Sequence, residues 1–240
     1  MATERWHDAE MSIELRPSSG PPPTGSAVQP APGPFFSVTV RWEYTVIPAH
    51  PQRRFVCLSD RAEYVELAGE RNDTSAWYLR PETGVDPSTR EAFELLRFTV
   101  DGQERPIRRA VRKGGQMYTA SIGTEAVTAG KPVTISCTYR TITGQADHLL
   151  FFDIEQPTRG LRVEMDYGGC AIASMAALDL VPTIRPTRID RPPAVLDQDS
   201  VRVEVDGWVF PRSGVAFVWT LEGELETASD VASSDHLVPA

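Results

Sequence analysis

Cysteine is scarce, with only Cys57, Cys137 and Cys170 in 240 residues. An odd, widely spaced set without a Cys-x-x-Cys pair is neither a disulfide framework nor a zinc site. Basic residues are also in deficit, 24 Lys and Arg against 33 Asp and Glu, for a formal net charge of −9. General nucleic-acid binders neutralise phosphates with the opposite surplus, so that function is excluded. The same charge opposes adsorption to anionic membranes. Long apolar runs are missing: the longest, residues 171–181, is too short to cross a bilayer and contains Asp179. The first residues, Met-Ala-Thr-Glu-Arg-Trp-His-Asp, lack the charged-then-apolar pattern of a signal peptide. The expectation is a cytoplasmic protein with reduced thiols. Arginine in excess of lysine, with much Ala, Pro and Gly, points to a GC-rich bacterial genome.

Catalytic signatures are absent as well. The four histidines are His7, His50, His148 and His236, and no Gly-x-Ser-x-Gly turn accompanies them. A nucleophile needs a base in reach and a group to orient that base. His50 and His148, read as solvated loop residues, supply neither. The expectation is no catalytic residue, no cofactor and no metal.

What is present is β-structure. Phe36, Val38, Val40, Trp42, Tyr44 and Val46 alternate with polar residues, the period of a half-buried strand. The pattern recurs in Val133, Ile135, Cys137 and Tyr139. It recurs again in Leu161, Val163, Met165 and Tyr167, and in Val201, Val203 and Val205. Less regular strands are expected at 55–58, 63–67, 76–79, 92–100, 107–111, 117–122 and 149–154. Residues 215–221, apolar on both faces, suit a central strand. Asp101-Gly102, Gly114-Gly115 and Thr143-Gly144 supply turn chemistry between them. So many short strands predict an all-β fold, an antiparallel β-sandwich of immunoglobulin-like architecture or a partly closed barrel.

Residues 1–34 read as a disordered tail. Residues 4–15 have helical propensity but few apolar side chains, and seven prolines follow between Pro17 and Pro34. Residues 35–225 form the sandwich, as one body or two packed β subdomains, and 226–240 a flexible C-terminal tail. Residues 86–94 fit a helix or a single turn before the next strand, and 172–180 fit helix or strand equally well. The proline-rich stretch 181–193 is expected to be a crossover leading to a final hairpin, 200–221.

Three clusters bear on function. Arg105, Arg108, Arg109, Arg112 and Lys113, ending at Gly114-Gly115, suit a small anionic, nucleotide-like ligand, but no phosphate-loop spacing is present and an edge strand guarded by charge fits better. Arg185, Arg188 and Arg191 invite the same two readings. Asp153, Glu155, Glu164 and Asp166 fall on one face of an expected hairpin, where Arg162 can pair with them. Cys137 and Cys170 imitate the cysteine strands of an immunoglobulin domain, but at 33 residues the gap is too short and no Trp lies between them. Trp208, Phe210 and Arg212 lead into a turn at the sandwich end, where loops contact partners. The expected function is a non-enzymatic protein-binding or regulatory module, its partner another protein. The alternative is a sensor or barrel-type enzyme holding an anion through the Arg cluster. Oligomeric state is open.

Overall fold

The computed structural model describes residues 4–18, 35–69, 73–180, 187–190 and 199–225. The first half of the chain supplies β1 (Trp6–Ser18), β2 (Phe35–Val46), β3 (Gln52–Leu58), α1 (Arg61–Gly69), β4 (Thr74–Tyr78), β5 (Phe93–Val100) and β6 (Gln103–Glu104). Next come β7 (Ile107–Arg112), β8 (Gly115–Ser121), α2 (Thr124–Ala129), β9 (Val133–Gly144) and β10 (Leu149–Asp153). The last elements are β11 (Thr158–Asp166), β12 (Ile172–Asp179), β13 (Arg188–Asp190), β14 (Ser200–Val209) and β15 (Gly214–Leu221).

These strands make three sheets, ordered β13-β14-β11-β1-β2-β9-β5-β6, β10-β15-β12 and β4-β3-β8-β7, and none closes into a barrel. The fold is all-β and sandwich-like, as the alternation predicts. Pairing is antiparallel except for β1 with β11 and β3 with β4. One continuous apolar core joins the sheets, with Val38, Val40 and Ile135 from the large one, Phe55 and Tyr118 from the four-stranded one, and Phe217 from the third.

The first correction concerns the N-terminus. Residues 6–18, expected within a tail, are a strand in the middle of the large sheet, between β2 and β11. Ala9, Met11, Ile13 and Leu15 are buried, while Glu10, Ser12 and Glu14 face outward. Burial of a side chain such as Met11, Ile13 or Leu15 is worth about 1.5–3 kcal/mol, enough to offset weak intrinsic strand propensity. Residues 19–34 lie outside the described residues, as does 226–240.

Two further expectations change, at 63–67 and 200–221, and two open ones, at 172–180 and 86–94, are decided. Residues 63–67 belong to α1, not a strand, because the Asp60 carboxylate accepts from the Ala62 and Glu63 N–H groups and starts a helix there. Residues 172–179 form a strand, β12. The segment 86–92 makes turns before β5, with Asp86 accepting from the Ser88 N–H at 2.8 Å. Residues 200–221 are not a hairpin: β14 pairs with β11 and β13, whereas β15 pairs with β10 and β12. The chain changes sheet at the Phe210–Ser213 turn, closed by the Ser213 N–H on the Phe210 carbonyl at 3.2 Å. Only glycine fits the first position after it. A Cβ on Gly214 would lie 2.1 Å from the Phe152 carbonyl oxygen and 2.9 Å from the Phe151 ring.

Candidate functional site

The three sheets do not meet flush. Where β1, β2 and β9 face β3 and β4, with β10 across one side, they leave a cavity of about 420 Å³. That volume falls within the usual range of small-molecule sites. The large sheet contributes Trp6, Trp42, Tyr44, Cys137 and Tyr139 to its wall. The four-stranded sheet contributes Arg53, Phe55 and Trp77, while α1 adds Tyr64. Phe152, Asp153, Glu155 and Gln156 come from β10 and the connection after it.

Period-two patterning explains why so many rings converge. Trp42 and Tyr44 are alternate residues of β2, and Cys137 and Tyr139 of β9, so both pairs point to the core face. Trp6 stacks on Tyr44 with ring centroids 4.1 Å apart and meets Trp42 edge-on at 5.8 Å. Trp77 sits edge-on to Tyr139 at 4.8 Å and at 4.4 Å from Phe93. These contacts fix the rings by packing before anything binds.

The polar groups of the wall are engaged with one another. Arg53 is buried and pairs with Glu4, whose other oxygen accepts from the Ala49 N–H at 2.7 Å. Burial opposes the Arg53 charge, but Tyr44 and Glu4 outweigh it and hold the guanidinium above its ordinary value. Burial likewise raises Tyr44, and raises Tyr139 well above its ordinary value, so both phenols stay neutral. Tyr44 is hydrogen-bonded to Arg53, and Tyr139 to Trp77. The Cys137 thiol is pushed up to about 12, first by burial and then by the Glu155 charge. It is therefore a poor nucleophile at neutral pH.

Glu155 accepts from the Ser75 hydroxyl at 2.7 Å. The cavity wall carries one cation, Arg53, against three carboxylates, Asp73, Asp153 and Glu155, so its formal charge is negative. The indole N–H groups of Trp6 and Trp42 are both buried, and neither has a hydrogen-bond acceptor among the described residues. An unmet buried donor costs about 1–3 kcal/mol.

The residues singled out from sequence lie elsewhere. Arg108, Arg109 and Arg112 are on β7, an edge strand, and alternation sends Arg109 to the opposite face from Arg108 and Arg112. Arg109 lies over the Tyr118 ring and donates to Gln116 Oε1 at 2.8 Å and to the Ser88 carbonyl at 2.6 Å. Arg112 pairs with Glu63 of α1. Arg105 follows β6 and Lys113 occupies the β7–β8 turn, so the five side chains are not brought to one point. Arg188 pairs with Asp190 at 2.7 Å, while Arg185 and Arg191 lie outside the described residues.

Trp208 is half-buried against His7, ring to ring at 5.4 Å, with the Arg5 guanidinium 5.9 Å from its centroid. Phe210 and Arg212 are exposed. The carboxylate face does not form as expected: β10 and β11 lie in different sheets, which separates Asp153 and Glu155 from Glu164 and Asp166. Glu164 pairs with Arg202, Asp166 with Arg16, and Arg162 with Glu204. Among the described residues no group of three or more His, Cys, Asp or Glu is placed to hold a metal ion. All three cysteines are unbridged and buried, and no described helix is long and apolar enough to cross a membrane.

The alternation of β2 read from the sequence accounts for Trp42 and Tyr44 but not for the rest of this wall. The missing signal was the alternation of β1, which brings Trp6 and Met11 to the same wall.

No protein-family model matches the chain, and no curated protein does. Among solved structures, an M1 zinc metallopeptidase from Deinococcus radiodurans is similar at 10% identity and TM-score 0.38, over 91% of this chain and 43% of that one. Leukotriene A4 hydrolase from Saccharomyces cerevisiae is similar at 6% identity and TM-score 0.39, over 89% of this chain and 29% of that one. The chain thus spans less than half the length of either. At these scores no activity carries over. The expectation of a non-enzymatic protein-binding or regulatory module, with a sensor or barrel-type enzyme holding an anion through the Arg cluster as its alternative, is set aside: these neighbours are metallopeptidase and hydrolase structures, no sheet closes into a barrel, and the Arg-cluster side chains do not converge.

Proposed function

We propose that this chain is a ligand-binding β domain that takes a small organic molecule into the cavity at the junction of its three sheets. The observation that carries the reading is the cavity itself, about 420 Å³, walled by rings from all three sheets. Apolar walls with a few fixed polar groups are the usual chemistry of such sites. A ligand with an apolar body would bury against Trp42, Trp77 and Phe152.

The test is thermal unfolding and tryptophan fluorescence against a panel of apolar and amphipathic molecules with indole as the first probe. Saturating ligand at about 100 times its Kd stabilises the fold by about 2.7 kcal/mol. Ala76→Leu narrows the cavity from the edge strand β4. It is expected to weaken binding while leaving circular dichroism unchanged. A panel in which nothing shifts the midpoint or the fluorescence, or an Ala76→Leu variant that binds as well as the parent, refutes the reading. The three buried thiols, unbridged, suit a reducing compartment such as the cytoplasm.

A further inference from the structure

We infer that a second copy of this chain docks, face to face, on the outward side of the three-stranded sheet β10-β15-β12. The inference stands apart from the cavity and concerns the side of that sheet turned away from the core.

Register fixes which residues lie there. Leu149 pairs with Val218 and Phe151 with Ala216; across the central strand, Val218 pairs with Ala176 and Ala216 with Leu178. The intervening residues of the same strands, Phe152, Phe217 and Ala177 among them, turn to the core. The outward positions are therefore apolar on all three strands, with only Ser174 and Thr220 as polar members. Leu149, Phe151 and Leu178 keep 44–49% exposure, and Leu180, next in the row, keeps 52%. Charge begins at the margin, with Asp153 at the end of β10 and Asp179 beside Leu178.

The large sheet shows what a solvated face of this protein looks like. Arg41 with Glu43, Arg162 with Glu204 and Arg202 with Glu164 cover its outward side in ion pairs. A sheet with one wet face alternates apolar-in and polar-out, whereas a sheet covered on both faces is apolar on both. The small sheet has the second pattern, and an apolar patch of this kind marks an interface.

Two arguments select a copy of the same chain as the cover. The first is charge. The chain carries a formal net charge of −9, so two copies repel wherever their charged surfaces meet. An uncharged face is self-complementary: a two-fold rotation lays it on itself and buries no unpaired ion. The second is area. Three strands about 4.8 Å apart and about 24 Å long form a patch that, doubled and with its rim, buries on the order of 1,000 Å², the lower bound for a specific interface. Two such sheets pack about 10 Å apart, as the layers of a sandwich do. A contact of that size predicts a reversible dimer, not a permanent one.

The experiment is sedimentation equilibrium of the full chain from about 1 to 200 μM, the range in which an interface of this area is expected to assemble. The expected result is a monomer–dimer equilibrium that added salt tightens, because screening removes the repulsion between copies and leaves the apolar contact. Leu178→Lys on β12 and Leu149→Lys on β10 are each expected to weaken association about tenfold or more, with circular dichroism unchanged. Two positions on different edge strands guard against one variant failing to fold. Val65→Lys is the control: Val65 is 61% exposed on α1, beside the four-stranded sheet, and its change is expected to leave association as in the parent. A single-chain mass at every concentration overturns the inference, as does a dimer that neither leucine variant weakens or that salt disperses. A monomer whose thermal midpoint falls with Leu178→Lys also overturns it, by showing that the face is covered from within the same chain.

Discussion

The carboxylate of Glu4 and the guanidinium of Arg53 form a buried ion pair across 49 residues of chain, and the same carboxylate accepts from the Ala49 N–H. Both side chains are almost wholly excluded from solvent, at 3% and 6% exposure. The pair pins the start of β1 to the turn that leads from β2 into β3, beside the aromatic wall. Removing one partner of a buried pair leaves the other charge uncompensated, at a cost of about 3–5 kcal/mol. Glu4→Gln is therefore expected to lower the urea midpoint sharply without changing the slope of the transition. A loss under about 1 kcal/mol would show that the pair is not closed in solution.

Gly214→Ala tests the change of sheet. The new methyl collides with backbone of β10 at 2.1 Å, which no rotamer relieves. Such overpacking costs about 1–3 kcal/mol or more. Gly223→Ala is the control, since nothing lies within 4 Å of a Cβ there. The thermal midpoint should fall by several degrees for the first and hardly move for the second.

Acid should loosen the contact between β1 and the end of β11. Arg16 bonds Asp166 at 2.9 Å, and this bond, joined by the Gly168 N–H, holds the Asp166 carboxyl below its ordinary value of 3.8 against the opposing effect of burial. A depressed carboxyl contributes stability that is present above 3.8 and disappears as pH falls through the folded value. Both side chains are about half exposed, so the contribution is small. Asp166→Asn should lower the midpoint slightly at pH 7 and match the parent at pH 2.

Alkali should act through the thiols. Burial pushes Cys57 up to about 12 and Cys170 up to about 11, from an ordinary 9.0. Groups raised in this way favour the folded chain below 9, and that advantage drains away as pH climbs through the folded values. Iodoacetamide at pH 8 should leave all three cysteines unlabelled in the native protein and label all three in urea, as counted by mass spectrometry. Rapid native labelling of Cys57 would contradict its burial.

The strands that alternate with β-branched or aromatic residues were legible: β2, β9, β11 and β14 follow from Val38, Ile135, Val163 and Val203 and their neighbours. β1 alternates just as cleanly, but through Ala9, Met11, Ile13 and Leu15, mostly helix-favouring types, so composition obscured the period. The helix at α1 had its signal in Asp60. Sheet membership was not legible, because β14 and β15 are neighbours in sequence and enter different sheets. The cavity inherits that difficulty. Trp6, Trp77 and Phe152 share a wall only because three separate pairing patterns place them there, and Asp153 and Glu155 read as an ordinary solvated face until β10 is seen to leave β11.

In the large sheet β1 is the sole link between β2-β9-β5-β6 on one side and β11-β14-β13 on the other. During synthesis this strand emerges before both of its partners, finds β2 within a few dozen residues, and must then wait for residues 158–166 before its second edge is covered. At synthesis rates of about 5–20 residues per second, that delay is about 6–24 s. Throughout it the nascent chain carries an open strand edge, the kind that recruits foreign strands. Glu10, Glu14 and Arg16 lie along that strand, so the charges that pair with β11 and its neighbours in the finished protein also guard the edge while it is being made.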